Sequence, residues 1–133
     1  MKYTCADFRS PGIQILIHHI YEYKKGVRNM VLHTMEHAEL EQAEFILKQK
    51  GMCYHVAKVN CRKVNIFFGN PDCVKVIQSF GPMSLSDYSP EQDFILGIML
   101  GYDSKQQCKR YLGRKTREQE KTHLLPCRPV EVA

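Results

Sequence analysis

Three observations predict an α+β domain. Residues Ile13–Tyr23 and Val64–Phe68 alternate in period two and are rich in β-branched and aromatic side chains, as strands are. From Asn70 onward the apolar residues fall at helical spacing behind strong helix-start signals. The 133 residues, 44% apolar and 25% charged, suit one core that needs neither metal nor disulfide. The implied order is β-β-α-β-β, a small antiparallel sheet, followed by three helices packed on it.

The first strand is expected over Ile13–Tyr23. Its odd positions are Ile13, Ile15, Ile17, His19, Tyr21 and Tyr23, and its even ones include Gln14, His18 and Glu22. Ser10-Pro11-Gly12 before it reads as a turn. Lys24-Lys25-Gly26 breaks the run, and Gly26 can take the left-handed conformation that a short hairpin requires. Val27–Thr34 then returns as the second strand. Two hairpin registers bring His33 onto the face of His19 or directly opposite His18. Helical spacing begins near Glu36, with Leu40, Ala43, Ile46 and Leu47 on one side. Its acids come early and its lysines late, which suits the helix dipole, and Gly51 can end it. Met52–Val59 and Val64–Phe68 supply the third and fourth strands around a turn at Asn60–Lys63.

The second half is helical. Asn70 caps a helix that starts at Pro71 and buries Val74, Ile77 and Phe80. Ser89-Pro90-Glu91-Gln92 has the form of a capping box. The helix behind it runs to about Tyr102 and is apolar on nearly every side, so it belongs inside the domain or in a subunit interface. Asp103 and Gln106 open a last helix that carries Cys108, Tyr111 and Leu112 inward. After Gly113 the pattern decays. The domain boundaries are therefore a loose leader over 1–12, a single α+β domain over 13–113 and a basic, extended tail over 114–133.

Six cysteines invite a disulfide framework, but no pair forms C-x-x-C and a chain of this size needs no staples. Free thiols and a reducing cytoplasm are the expectation. The N-terminus does not resemble a signal peptide, and the longest apolar run, Phe94–Leu100, is too short to cross a bilayer.

The net charge of +5 is unevenly placed. Between residues 105 and 117 lie Lys105, Lys109, Arg110, Arg114, Lys115 and Arg117, with no acid among them. Such a run is either a solvated helix face or a surface for an acidic partner. Nucleic acid is disfavoured, because the run lacks aromatic interleaving and no known module surrounds it. A second constellation is histidine. His18, His19, His33 and His37 could bring imidazoles together for a metal or for acid–base chemistry. Their spacing matches no zinc finger or zincin motif, and satisfied sheet histidines are the plainer reading. No phosphate loop, nucleophile elbow or redox dithiol is present, so no cofactor is expected.

Three strings carry a resemblance to a known family: His18 through Gly26 (HHIYEYKKG), Asn65 through Gly69 (NIFFG), and Glu91 through Asp103 (EQDFILGIMLGYD). Together they resemble a small bacterial family of unknown function, the domain-of-unknown-function family numbered twenty twenty-three, over roughly residues 13 to 113. The resemblance implies a compact α+β fold and a homodimer. It also implies genes lying beside a flavodoxin, hence an acidic redox protein as partner. It carries over no catalytic residue.

The reading that follows is a non-enzymatic, homodimeric accessory domain that binds an acidic protein such as a flavodoxin. The basic residues from Lys105 to Arg117 would dock the partner. Phe94, Ile95, Ile98, Met99 and Tyr102 would form the dimer interface. The alternative is a metal-binding protein or small enzyme built on His18, His19, His33 and His37.

Overall fold

The structure is a computed structural model that describes residues 10–123. Its order is α1 (Pro11–Lys24), β1 (Met30–Glu36), α2 (Leu40–Gln49), β2 (Cys53–Lys58), β3 (Lys63–Gly69), α3 (Pro71–Ser79), α4 (Pro90–Met99) and α5 (Ser104–His123). Short 3-10 turns at His37–Glu39 and Leu85–Asp87 precede α2 and α4. The fold is α+β, with five α-helices among the described residues around a small antiparallel sheet.

The sheet has three strands in the order β1-β3-β2, and β3 is antiparallel to both neighbours. β1 and β2 are thus parallel, which demands a crossover, and α2 provides it. Side-chain alternation on β3 divides the core. Val64, Ile66 and Phe68 face α1 and α2 with Val31 and Met35, while Phe67 faces α3 and α4 with Met30. Five consecutive side chains of β3, from Val64 to Phe68, are buried, because helices cover both faces of the central strand.

The expected first strand is a helix, and this is the main correction. Ser10 caps it: the Ser10 hydroxyl accepts from the Ile13 N–H at 3.2 Å, and Pro11 occupies the first turn. Ile13, Leu16 and Ile20 are buried, with Ile17 and Tyr23 packed beside them. That is i, i+3, i+4, i+7 and i+10 spacing, which coexists with period two where nearly every residue is apolar. Gly26 does adopt a positive φ, 85°, but as a helix terminator. Its N–H donates to the Tyr23 carbonyl and the Val27 N–H to the Glu22 carbonyl, the pattern of a Schellman cap. No hairpin joins Ile13–Tyr23 to β1. The strand expected over Val27–Thr34 begins at Met30 and ends at Glu36, and its partner is β3, with His33 opposite Ile66.

The third and fourth strands, α2, α3 and the start of α4 match expectation. Both hydrogen bonds of the Ser89–Gln92 capping box form, at 2.9 and 3.1 Å. Asn70 accepts from the Asp72 and Cys73 N–H groups. Two features of the last helix differ. Leu112 is exposed and Cys108 with it, so of the three side chains expected inward only Tyr111 packs, against Phe94. In addition, α5 continues unbroken through Gly113 to His123, so residues 114–123 are helical rather than extended. The rest of the tail and the first nine residues of the leader lie outside the described residues.

Candidate functional site

α4 and α5 form an antiparallel helical hairpin joined by a tight turn at Leu100–Asp103. A connection that short forces neighbouring helices to pack side by side. Gly97 makes the approach close, since a Cβ there would collide with the Gln107 side chain. The first turn of α4 consequently lies against the middle of α5. Glu91 and Asp93, placed there by the favourable end of the helix dipole, meet the bases of α5.

This arrangement splits the six sequence-selected bases into two sets. Arg110 donates to Asp93 from Nε at 2.6 Å and from Nη2 at 3.1 Å, a forked pair. Arg114 donates to the Tyr88 carbonyl at 2.9 Å and stands 3.7 Å from Asp93. Lys115 bridges to Glu91 at 3.1 Å. The hydrogen bond and charge of Asp93 raise the Arg110 pKa, and the hydrogen bond to Glu91 raises that of Lys115. The bond from Lys115 in turn lowers the Glu91 carboxyl. Lys105, Lys109 and Arg117 have no ion pair among the described residues. Gln106, Lys109, Arg110, Gly113 and Arg117 line a shallow groove of about 440 Å³ along one flank of α5, with Arg110 shared between the groove and Asp93. Gly113, read from sequence as a stop, is the floor of that groove.

The five residues expected at a dimer interface also divide. Met99 joins the core beneath the sheet, and Phe94 packs against Tyr111 with ring centroids 5.6 Å apart and the rings tilted by 56°. Ile95, Ile98 and Tyr102 remain on the outside, 37%, 41% and 56% exposed. Leu96 of α4 and Leu100 at its C-terminal cap are buried in the same core.

The histidines meet differently from either hairpin register. His18 and His19 both lie on α1 and both reach Glu22, His18 Nε2 at 3.2 Å and His19 Nδ1 at 3.2 Å. Arg28 adds a third contact to the same carboxylate, its Nε donating at 3.1 Å. The His19 hydrogen bond, followed by the Arg28 contact, lowers the Glu22 pKa against its desolvation. His19 and His33 do come together, with ring centroids 5.7 Å apart, because α1 packs on β1. His33 is buried and its Nε2 lies 3.0 Å from the Gly12 carbonyl, which it bonds as donor. Burial lowers its pKa. His37 sits exposed in the 3-10 turn before α2. Among the described residues, no three His, Cys, Asp or Glu side chains converge as metal ligands would.

Sequence reasoning missed the acids that answer the basic run. Glu91 and Asp93 were legible only as helix-start residues, although two helices joined by four residues must place them beside positions 110–115. It also missed Glu22 as the hub of two histidines and an arginine, since a strand would have turned His19 to the face opposite His18 and Glu22. The four described cysteines, Cys53, Cys61, Cys73 and Cys108, are unpaired. No helix among the described residues is long and apolar enough to cross a membrane.

No curated protein matches this sequence significantly. A family model does, over residues 14–114, which includes the α4 site and α5 through Arg114. On that match, which spans most of the chain, the protein belongs to the family described as Protein of unknown function (DUF2023).

Proposed function

We propose that this chain is a non-enzymatic interaction module that docks an acidic protein surface on the outward face of α5. The observation that carries this reading is the open set of cations: Lys109 and Arg117 line the groove, Lys105 lies one turn before Lys109 on the same helix, and none of the three has an ion pair among the described residues. Glu118 and Glu120 mark the end of the basic stretch. Exposed cations of this kind add little to stability but raise the rate at which an oppositely charged surface is met. Nucleic acid fits less well, because Tyr111, the aromatic side chain of α5, is turned toward Phe94 and Glu91 and offers no stacking platform. The family resemblance supplies a concrete partner, a flavodoxin, whose acidic surface matches the charge.

The test is the association rate of this protein with purified flavodoxin, measured against ionic strength. The reading expects a rate that falls by at least about tenfold between low and high salt, as screening shortens the Debye length to roughly 3 Å at 1 M. Equal or tighter binding of double-stranded DNA would reassign the surface to nucleic acid.

A second property, self-association, is favoured by the outward strip of Ile95, Ile98 and Tyr102. Three large apolar side chains within two turns form a patch of the kind that subunit interfaces cover. Sedimentation at tens of micromolar is expected to find a dimer that Ile98→Glu dissociates. A monomeric wild type would remove this part of the proposal. Met99→Glu is not a test of it, because Met99 packs in the core.

A further inference from the structure

The sheet face that α3 and α4 cover holds a cavity at one end. It lies where β1 and β2 finish and β3 begins, between the sheet and the segment Met83–Ser86, and measures about 380 Å³. Such a volume falls in the range of small-molecule sites. Strand alternation decides which side chains reach it. Asn65 and Phe67 of β3 share this face with Thr34 of β1 and Ala57 of β2, and Met83 and Leu85 close it from the other side. Lys58 also borders the cavity, but it pairs with Val64, so its side chain belongs to the opposite face.

Asn65 is the anomaly. It lies on the central strand, 7% exposed, two residues before Phe67 on the same face. Asparagine is a poor strand residue, and a buried amide needs partners for both ends. One end has a partner: the Thr34 hydroxyl, directly across the β1–β3 ladder, donates to Asn65 Oδ1. That bond orients the amide. The two N–H donors on Nδ2 have no acceptor among the described residues, and the side chain lines the cavity. The serines of the covering segment are already engaged, Ser84 with Ser86 at 2.9 Å and with the Asp87 carboxylate at 3.1 Å, so they hold the wall in shape. Glu36 and Lys63, the charged residues that follow Thr34 and precede Asn65 on this face, pair with each other at 3.4 Å.

An open amide nitrogen between apolar walls, with no unpaired charge among the described side chains that face it, is the recognition chemistry of a neutral acceptor on an apolar body. From this geometry we infer that the cavity binds a small neutral carbonyl compound: a ketone, ester or amide with an aliphatic or aromatic body. Its carbonyl oxygen accepts from Asn65 Nδ2, and its body lies along Phe67, Met83 and Leu85. A carbonyl oxygen satisfies an open N–H without adding a donor that needs a partner of its own. A carboxylate would bury its charge with no cation facing it, and an ammonium would set donors against donors. This site is separate from the α5 groove and does not depend on the function proposed for it.

The test is a titration of the full chain with 4-phenyl-2-butanone, followed by NMR on the Asn65 side-chain amide and the Met83 methyl, with 4-phenylbutyrate and 4-phenylbutylamine as the charged counterparts. The expected result is a saturable shift of both signals by the ketone below about 10 mM. The acid should bind at least about tenfold more weakly, and the amine should shift neither signal. Asn65→Leu, which fills a similar volume without the open donors, should weaken ketone binding by about fivefold, the scale of one neutral hydrogen bond. If that variant does not fold, the two signals of the wild type decide alone, because a ketone response at Met83 without one at the Asn65 amide would mean apolar contact only. That result, absence of a saturable shift, equal binding of the ketone and either charged probe, or unchanged affinity in folded Asn65→Leu would each overturn the proposal.

Discussion

On the inner side of α5, Arg110, Arg114 and Lys115 reach Asp93, the Tyr88 carbonyl and Glu91; on its outer side, Lys105, Lys109 and Arg117 reach no acid among the described residues. Both sets come from the same thirteen-residue stretch and look alike in sequence. What separates them is the turn at Leu100–Asp103, which lays α4 along one side of the helix and leaves the other to solvent. Of the inner cations, Arg114 contributes most to holding the hairpin together, because its bond to the Tyr88 carbonyl is partly buried and costly to leave half-made, whereas the exposed pairs of Arg110 and Lys115 contribute little. The outer ones contribute a field, which acts on encounter rather than on folding.

Arg114 offers the sharpest way to break this division, since its side chain is only 23% exposed. Arg114→Ala removes the donor to the Tyr88 carbonyl and leaves Asp93 with one partner fewer. It is expected to lower the unfolding free energy by about 1–3 kcal/mol, read by urea denaturation. A loss indistinguishable from that of an outer lysine would mean that the hairpin does not depend on its inner cations.

Acidification should separate the hairpin from the α1 side of the sheet. His33 has a folded pKa below the ordinary imidazole value of 6.5, with desolvation as the main cause. A depressed folded pKa means that the unfolded chain binds the proton first. The stability it contributes is therefore complete above pH 6.5 and is lost as pH falls through the folded value. His55, also lowered by burial, acts in the same direction. Glu91 on the hairpin is likewise depressed, by Lys115, but from an ordinary carboxyl value of 4.5, so its contribution fades only in more acidic solution. A melting temperature that declines below pH 6.5, with a shallower decline in His33→Gln, is the expected profile. Identical profiles for the two proteins would contradict it.

Gly113 gives the smallest effect and the finest test. It lies inside α5 with open space where a Cβ would stand. Gly113→Ala should stabilise the helix by about 0.5–1 kcal/mol, as alanine does in an exposed helix interior. If Gly113 instead ended the helix in solution, the substitution would not stabilise, and a thermal melt distinguishes the two.

Much of the fold was legible because several elements declare themselves twice. α3 and α4 each have a cap and a buried stripe, and β3 has alternation and bounding turns. α1 was misread because its apolar content is so high that periods of two and 3.6 both fit Ile13–Tyr23. The deciding signal was Ser10-Pro11, the same cap-then-proline signature that correctly located α3 at Asn70-Pro71 and α4 at Ser89-Pro90. At the site, the basic residues were legible and their division was not. Sequence spacing places Arg110, Arg114 and Arg117 on one helical face, but only packing decides that the first two reach Asp93, Arg110 from the edge of the groove, while Arg117 lines the groove without an ion pair among the described residues. Asn65 could have been noticed as a polar residue on a strand otherwise destined for burial.

The central claim is that the outer cations serve encounter and not stability. It is tested most directly by the association rate of the triple variant Lys105→Glu, Lys109→Glu and Arg117→Glu with purified flavodoxin at low salt. Each reversal removes an exposed charge worth roughly a few tenths of a kcal/mol to the fold, so the melting temperature should hardly move. The rate should drop by one or more orders of magnitude, and the gap from the wild type should close as salt is added. An association rate equal to that of the wild type, in a variant that melts at the same temperature, would contradict the account.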